Sequence, residues 1–205
     1  MSNLPRILAI GAHPDDIELG CGGSLSKLAC AGAHVHALVL SHGHQGAEAG
    51  ADRAYESAAA LRALGTTTIT QLDFPDTRFP EVCRELTTRL EQVAAEFQPD
   101  RVYTMSADDR HQDHRTVFET SRVALRRVRQ VLCYETPSSL PRFMPDIYED
   151  ISSQMEVKLR ALRAHASQQH RHYMGEAHVR CLAQFRGQQV GLGPCEGFVP
   201  HRMVL

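Results

Sequence analysis

Short apolar runs alternate along the chain with longer segments in which apolar residues recur every three or four positions. The runs predict strands at residues 6–12, 34–41, 67–73, 100–105 and 130–136, and a last strand at 197–204. The periodic segments predict helices at residues 22–31, 51–64, 81–97, 115–127, 151–165 and 176–188. Strand and helix therefore follow one another through most of the chain.

This alternation predicts an α/β fold, with a Rossmann-like, mostly parallel sheet and helices on both of its faces. The proline-rich segment 137–145 predicts a loop. No internal repeat, low-complexity tract or linker interrupts the 205 residues, so residues 1–205 are expected to form a single domain.

Charge and composition narrow the classes of partner. The net charge of −2 and the pI near 6.6 provide no basic surface for nucleic acid or anionic lipid, and a small molecule is the expected partner. The residues at the start of the sequence lack the pattern of a secretory signal, and no apolar run reaches about 18 residues, so we expect a soluble, cytoplasmic protein that does not bind a membrane. Its six cysteines are scattered without a C-x-x-C pair, so they are expected to be small apolar core residues.

Chemistry-bearing residues follow the first predicted strand. Residues 12–16 read Ala-His-Pro-Asp-Asp, so that His13, Asp15 and Asp16 crowd together at a strand end. Adjacent carboxylates repel unless a cation or hydrogen-bond donors compensate them, and a divalent metal does so well. The alternative is that both aspartates cap the next turn and His13 is a polar core residue.

A second group follows the fourth predicted strand, where residues 108–114 read Asp-Asp-Arg-His-Gln-Asp-His. In an open parallel sheet the carboxyl ends of the strands share one edge, so the two groups are expected to face the same crevice. Catalytic zinc commonly takes three protein ligands and leaves one position open for water. The two loops together therefore predict a hydrolytic metal site.

These residues resemble a known family. Residues 12–16, the pair Gly22-Gly23 and the His-Gln-Asp-His of residues 111–114 are similar to the LmbE-like, or PIG-L, zinc-dependent N-acetylglucosaminyl deacetylases. Segments 43–46, 53–56, 74–76, 165–168 and 185–187 follow in the family's order. Asp109 stands where some members have a tyrosine that holds the oxyanion. In having an aspartate there, the chain resembles the subgroup with an Asp-Arg-His-x-Asp-His motif, which is similar to bacillithiol-pathway deacetylases.

The resemblance implies roles for nine residues. It implies that His13, Asp16 and His114 bind one Zn²⁺ per chain, with Fe²⁺ as another possible divalent metal, and that Asp15 is the general base. It implies that His111, oriented and kept charged by Asp113, stabilises the transition state, and that Arg53, Asp76 and Arg110 bind substrate. Other roles stay open for four of these residues. Arg53 could lie on a helix surface, Asp76 could stabilise a turn, Arg110 could pair with nearby acids, and Asp113 could cap the following helix.

The expected activity is hydrolysis of the N-acetyl amide of an N-acetylglucosamine-type sugar or conjugate. A zinc de-N-acylase for a non-sugar amide or an antibiotic-type conjugate is the alternative, and a non-catalytic sugar-binding protein is a lower one. The resemblance also implies a homo-oligomer, a trimer or hexamer. The sequence leaves open the identity of the substrate and the roles of Cys21, loop 137–146 and His42 and His44, which could be solvated or could contact substrate or a second metal.

Overall fold

Seven strands form one sheet in the computed structural model, which describes residues 4–46 and 50–204. They are β1 (Arg6–Gly11), β2 (His34–Val39), β3 (Thr68–Gln71), β4 (Arg101–Thr104), β5 (Gln130–Tyr134), β6 (Ile147–Asp150) and β7 (Cys195–Met203). Their order across the sheet is β3-β2-β1-β4-β5-β7-β6. The first five strands are parallel, and β7 runs antiparallel to both β5 and β6. The predicted mostly parallel sheet is confirmed.

Six α-helices of the described residues pack on this sheet. They are α1 (Asp16–Cys30), α2 (Arg53–Ala63), α3 (Cys83–Phe97), α4 (Gln112–Ala124), α5 (Met155–Arg163) and α6 (Glu176–Gln188). Helix α3 packs against α4, whereas α5 packs against α1 and α2. The central strands β1 and β2 are buried at nearly every position, as expected where helices cover both faces of a parallel sheet.

Helix α1 begins at Asp16, six residues before the predicted start, and is broken at Cys21, where φ is −141°. The glycines around this break allow close packing. A Cβ on Gly20 would lie 2.1 Å from a ring carbon of Tyr134, and a Cβ on Gly23 would lie 2.8 Å from Ile151. Glycine therefore lets this part of α1 approach β5 and the segment before α5.

Strand β6 was not predicted. It has only four half-buried residues of mixed polarity, Ile-Tyr-Glu-Asp, which is too short to show an alternating pattern. Strand β6 forms because it pairs with β7, which lies about 45 residues further along the chain. The segment 137–145 has no strand or helix, as predicted.

The cysteine expectation is correct for only half of the residues. All six cysteines lie in the described part of the chain and are free; Cys21, Cys133 and Cys195 are buried, whereas Cys30, Cys83 and Cys181 are exposed. Within residues 4–46 and 50–204, no helix is long and apolar enough to cross a membrane.

Candidate active site

The two chemistry-bearing groups meet at the carboxyl ends of β1 and β4. Asp16 begins α1 after β1, and His114 lies in the first turn of α4 after β4. One oxygen of Asp16 is 3.5 Å from Nδ1 of His13, and its other oxygen is 3.4 Å from Nε2 of His114. The carboxylate of Asp16 thus lies between two buried imidazoles.

This arrangement fits a divalent metal. With bonds of about 2.0–2.1 Å, two ligands of a tetrahedral zinc ion lie about 3.3–3.4 Å apart, close to both separations at Asp16. Two imidazoles and one carboxylate are also a common ligand set for zinc and iron. Two further sets at the site have donor atoms within 4.8 Å of one another, namely His13, His111 and His114, and His13, Asp76 and Asp113.

Carboxylates also contact the far side of both imidazoles. Nε2 of His13 is 3.1 Å from Asp113 and 3.1 Å from Asp76, and Nδ1 of His114 is 2.9 Å from Asp109. Metal-binding histidines usually donate their second ring N–H to such a group, which fixes the ring and raises its basicity. Each imidazole therefore has one nitrogen beside Asp16 and the other beside a supporting carboxylate.

The site favours a positive charge. Burial alone would lower the pKa of His13, but its hydrogen bonds with Asp113, Asp16 and Asp76 raise that pKa well above 6.5. Burial likewise opposes the charged form of His114, and the neighbouring Asp16 and Asp109 raise its pKa. A proton or a metal ion can supply the charge that these carboxylates stabilise.

Sequence reasoning missed the role of Asp109. Its carboxylate accepts hydrogen bonds from the hydroxyls of Thr136 and Ser138, both at 2.6 Å, and from the backbone N–H of His111 at 2.8 Å. Burial would raise the pKa of Asp109, but its bonds with His114 and the two hydroxyls hold it well below its usual range. Asp109 is within the motif of residues 108–114. Only the folded structure, with the loop after β5 in place, shows that it supports His114.

Asp15 is a buried residue next to Asp16, in the left-handed conformation with φ of 94°. Such a conformation costs a non-glycine residue free energy and is typical of functional positions. Burial and the charge of Asp16 outweigh the cation of Arg53 and raise the pKa of Asp15 to about 7. Nη2 of Arg53 lies 3.3 Å from the Asp15 carboxylate and donates at 2.9 Å to the carbonyl of Pro14.

The expected orientation of His111 by the Asp113 carboxylate is wrong. That carboxylate accepts from the backbone N–H of Thr77 at 2.7 Å and of Phe79 at 3.1 Å, and its ring partner is His13. The alternative that Asp113 caps the helix is also wrong. His111 is the cap of α4, because its Nδ1 accepts the backbone N–H of Asp113 at 3.2 Å.

The structure also contradicts the expected charged state of His111. Burial is the main cause that lowers its pKa, and the neighbouring His114 and His13 lower it further, against weaker opposite effects of Asp113 and Asp16. In the neutral ring Nδ1 is the acceptor, so the proton is on Nε2. His111 is thus a neutral N–H donor at the edge of the site.

The three predicted substrate-binding residues line one cleft of about 450 Å³, together with His13, Asp15, Asp16, His111 and His114. A cleft of this volume suits a small molecule. Arg53 and Asp76 are buried and already hydrogen-bonded to site residues, which makes them supports of Asp15 and His13. Arg110 is exposed and, within the described residues, pairs with no acid of its motif; it donates at 3.3 Å to the carbonyl of Ser138.

The cleft also contains residues that the sequence did not single out for it, namely Gln168, Arg171 and Tyr173. They belong to the segment between α5 and α6, which follows no parallel strand. The rule that selects loops after parallel strands therefore could not find them. The loop that contains His42 and His44 is described only in part, since residues 47–49 lie outside the described residues.

Comparison with known proteins gives relatives over most of the chain. "Uncharacterized deacetylase YaiS" of Escherichia coli is 45% identical over 167 residues, covering 78% of this chain and 90% of that protein. Diacetylchitobiose deacetylase of Thermococcus kodakarensis is 31% identical over 226 residues, covering 97% and 85%. The crystal structure of the conserved protein TT1542 from Thermus thermophilus matches with a TM-score of 0.88 at 28% identity, covering 97% and 96%.

The family model described as GlcNAc-PI de-N-acetylase, PIG-L, matches residues 8–125. This range is more than half of the chain and contains most of β1, all of β2 to β4 and both candidate metal-site motifs. The match agrees with the family resemblance seen in the motifs. The chain belongs to the PIG-L family of deacetylases.

Proposed function

We propose that this protein is a metal-dependent N-deacetylase that hydrolyses the N-acetyl amide of an N-acetylglucosamine-type sugar or conjugate, releasing acetate and a free amine. The observation that carries the proposal is the carboxylate of Asp16 between His13 and His114, with Asp15 beside it in a cleft. Membership of a deacetylase family and the relative named diacetylchitobiose deacetylase support the reaction and the substrate class.

His13, Asp16 and His114 would hold one Zn²⁺, or another divalent metal such as Fe²⁺. When bound, the ion polarises the amide carbonyl and makes water a better nucleophile at neutral pH. Asp113 and Asp76 orient His13, and Asp109 orients His114. The protein thereby keeps both imidazoles aimed at one point.

Asp15 is the proposed general base. Its pKa of about 7 lets the carboxylate accept the proton of the attacking water near neutral pH and then give it to the departing amine. The buried Arg53 holds one Asp15 oxygen and leaves the other for this transfer. Asp15 is a better proton donor to the amine than His111, because the pKa of His111 is lowered.

His111 is proposed to stabilise the oxyanion as a neutral donor. Its Nδ1 accepts the N–H of Asp113 at 3.2 Å, so Nε2–H is the ring group available to the reacting carbonyl oxygen. A charged His111 would carry a second proton on Nδ1 and lose that acceptor. The hydrogen bond that caps α4 therefore keeps the His111 ring in the tautomer with its proton on Nε2.

Substrate recognition is proposed for the polar lining of the cleft. Arg110 provides an exposed guanidinium at the edge of the cleft and could donate to sugar hydroxyls. Arg53 and Asp76 already make hydrogen bonds within the site, so they would contact substrate only with polar atoms that are not used in those bonds. We further propose a cytoplasmic homo-oligomer, a trimer or hexamer, from the family resemblance. Exposed apolar side chains at the end of α6, Phe185 and Leu192 among them, suit an interface.

The rival functions have less support. A non-catalytic sugar-binding protein would not need both supported imidazoles and a buried base, and all of these groups converge here. A hydrolase for a non-sugar amide is not favoured, because a relative that aligns with 97% of the chain is named for a chitobiose substrate.

The test is a free-amine assay on the zinc-loaded protein. N-acetylglucosamine, N,N′-diacetylchitobiose and an N-acetylated amino acid should be compared, with Asp15→Asn as the inactive control. The proposal is supported if the native protein releases amine from the sugars and the Asp15→Asn variant does not. Turnover of the amino acid derivative alone, or equal turnover by the Asp15→Asn variant, would contradict it.

A further inference from the structure

A second cluster of potential metal ligands lies on the same edge of the sheet, outside the candidate active site. His42 and His44 follow β2, and Asp73 follows β3. Their donor atoms lie within 4.8 Å of one another. We call these three residues the rim site.

The separations at the rim site match a shared metal better than hydrogen bonds. Nδ1 of His42 is 3.5 Å and Nε2 of His44 is 3.3 Å from the same oxygen of Asp73. In the described part of the chain, no hydrogen bond joins either ring to that carboxylate. A tetrahedral zinc ion spaces its ligands by about 3.3–3.4 Å.

The backbone holds the two halves of the rim site together. Leu72 N–H donates to the carbonyl of Val39 at 2.8 Å, and Phe74 N–H donates to that of Leu40 at 3.0 Å. These bonds continue the β2–β3 pairing past the strand ends. The position of Asp73 beside the segment after β2 is therefore set by the sheet and does not depend on an ion.

Gly43 places the two imidazoles near each other. Its φ of +68° turns the chain between them, and a Cβ there would lie 2.5 Å from Nη1 of Arg53, so a larger residue would be strained at this position. The hydroxyl of Ser41 accepts the Gly43 N–H at 2.8 Å and supports the turn. The rings of His42 and His44 meet with centroids 5.6 Å apart.

We propose that His42, His44 and Asp73 form a second divalent-metal site, separate from the candidate active centre. Two imidazoles and one carboxylate favour Zn²⁺, Ni²⁺ or Cu²⁺ over Mg²⁺ and Ca²⁺, which prefer oxygen ligands. The bound ion cross-links the segment after β2 to the segment after β3, and water completes its coordination.

The rim site binds more weakly than the active centre. His44 and Asp73 are about two-thirds exposed, and no second carboxylate contacts either rim imidazole in the described residues. His13 and His114 each have such a carboxylate, and losing such support typically lowers metal affinity 10–100-fold. We expect a similar ratio, about 10–100-fold, between the two affinities.

The test counts zinc ions on untagged protein that has been stripped with a chelator. Isothermal titration and elemental analysis after dialysis should show two Zn²⁺ per chain, the second about 10–100-fold weaker. His42→Gln/His44→Gln should lose only the weaker ion. His34→Gln, at the exposed opposite end of β2, is the matched control and should keep both.

His114→Ala provides the reciprocal measurement, because it should lose the tighter ion and keep the weaker one. A native protein with one ion, which His114→Ala abolishes and His42→Gln/His44→Gln keeps, would overturn the proposal. Two ions of unchanged affinity in His42→Gln/His44→Gln would overturn it as well. Loss of both ions from that variant, with its circular dichroism unchanged, would show that the two sites are not separate and would also overturn it.

Discussion

Replacing Asp113 with asparagine tests whether this residue supports the metal ligand His13. The Asp113 carboxylate is fully buried and accepts three hydrogen bonds, from His13 and Thr77 at one oxygen and from Phe79 at the other. An amide has a single acceptor oxygen, so its NH₂ group must face at least one of these donors. At least one of the three bonds is therefore lost.

The expected loss can be estimated for both stability and metal binding. One unsatisfied buried group costs about 1–3 kcal/mol, which lowers the melting temperature of a chain of this size by about 2–12 °C. His13 also exchanges a charged partner for a neutral one, and metal affinity should fall about 10–100-fold, or about 1.4–2.7 kcal/mol. Both effects arise from the same buried carboxylate.

The assay is zinc affinity by competition with a chromophoric chelator, together with thermal denaturation followed by circular dichroism. Asp108→Asn is the matched control, because Asp108 is in the same motif but pairs on the surface with Arg142. Its zinc affinity should not change. A lower melting temperature for Asp113→Asn with native zinc affinity would show that Asp113 only holds the segment at Thr77 and Phe79, and would refute a supporting role toward His13.

Four further predictions concern the site and the assembly. Asp15→Asn should retain zinc and lose about 10²–10⁴-fold in kcat, since the amide cannot accept a proton; near-native kcat would exclude Asp15 as the base. In the native protein kcat/KM should rise with pH as Asp15, with a pKa of about 7, ionises, although a bound dication shifts the midpoint to lower pH; a flat profile from pH 5 to 8 would contradict this role. His114→Ala should abolish tight zinc binding, and native affinity in that variant would remove His114 from the ligand set. Sedimentation at micromolar concentration should show a homo-oligomer, and a monomer would disprove the expected assembly.

Some of the site could be predicted because its residues are close in sequence. His13, Asp15 and Asp16 follow one buried strand, and parallel strands share the edge at which their loops meet. The motif after β4 could be placed beside them by the same rule. The carboxylates that support the two histidines could not be predicted in this way, because the contacts of Asp113 and Asp109 depend on side-chain directions after folding.

The pairing of Asp113 illustrates the limit. In sequence Asp113 is two residues from His111 and one hundred residues from His13, so the near neighbour was the expected partner. In the fold the first turn of α4 directs the carboxylate back toward β1, and the backbone amides of Thr77 and Phe79 hold it there. The separation of two residues in the sequence therefore does not indicate such a long-range contact.

By itself the sequence determined the α/β class, the order of the main strands and helices, and the family, because hydrophobic periodicity and a short dense motif are local properties of the chain. Only the tertiary structure decided the start of α1, the short strand β6 and the partners of each carboxylate. Those features depend on contacts between distant residues, such as Gly20 against Tyr134 and Asp109 against Thr136. Burial at such contacts also sets the charge of His111 and Asp15, since desolvation acts on a side chain only once the chain has folded around it.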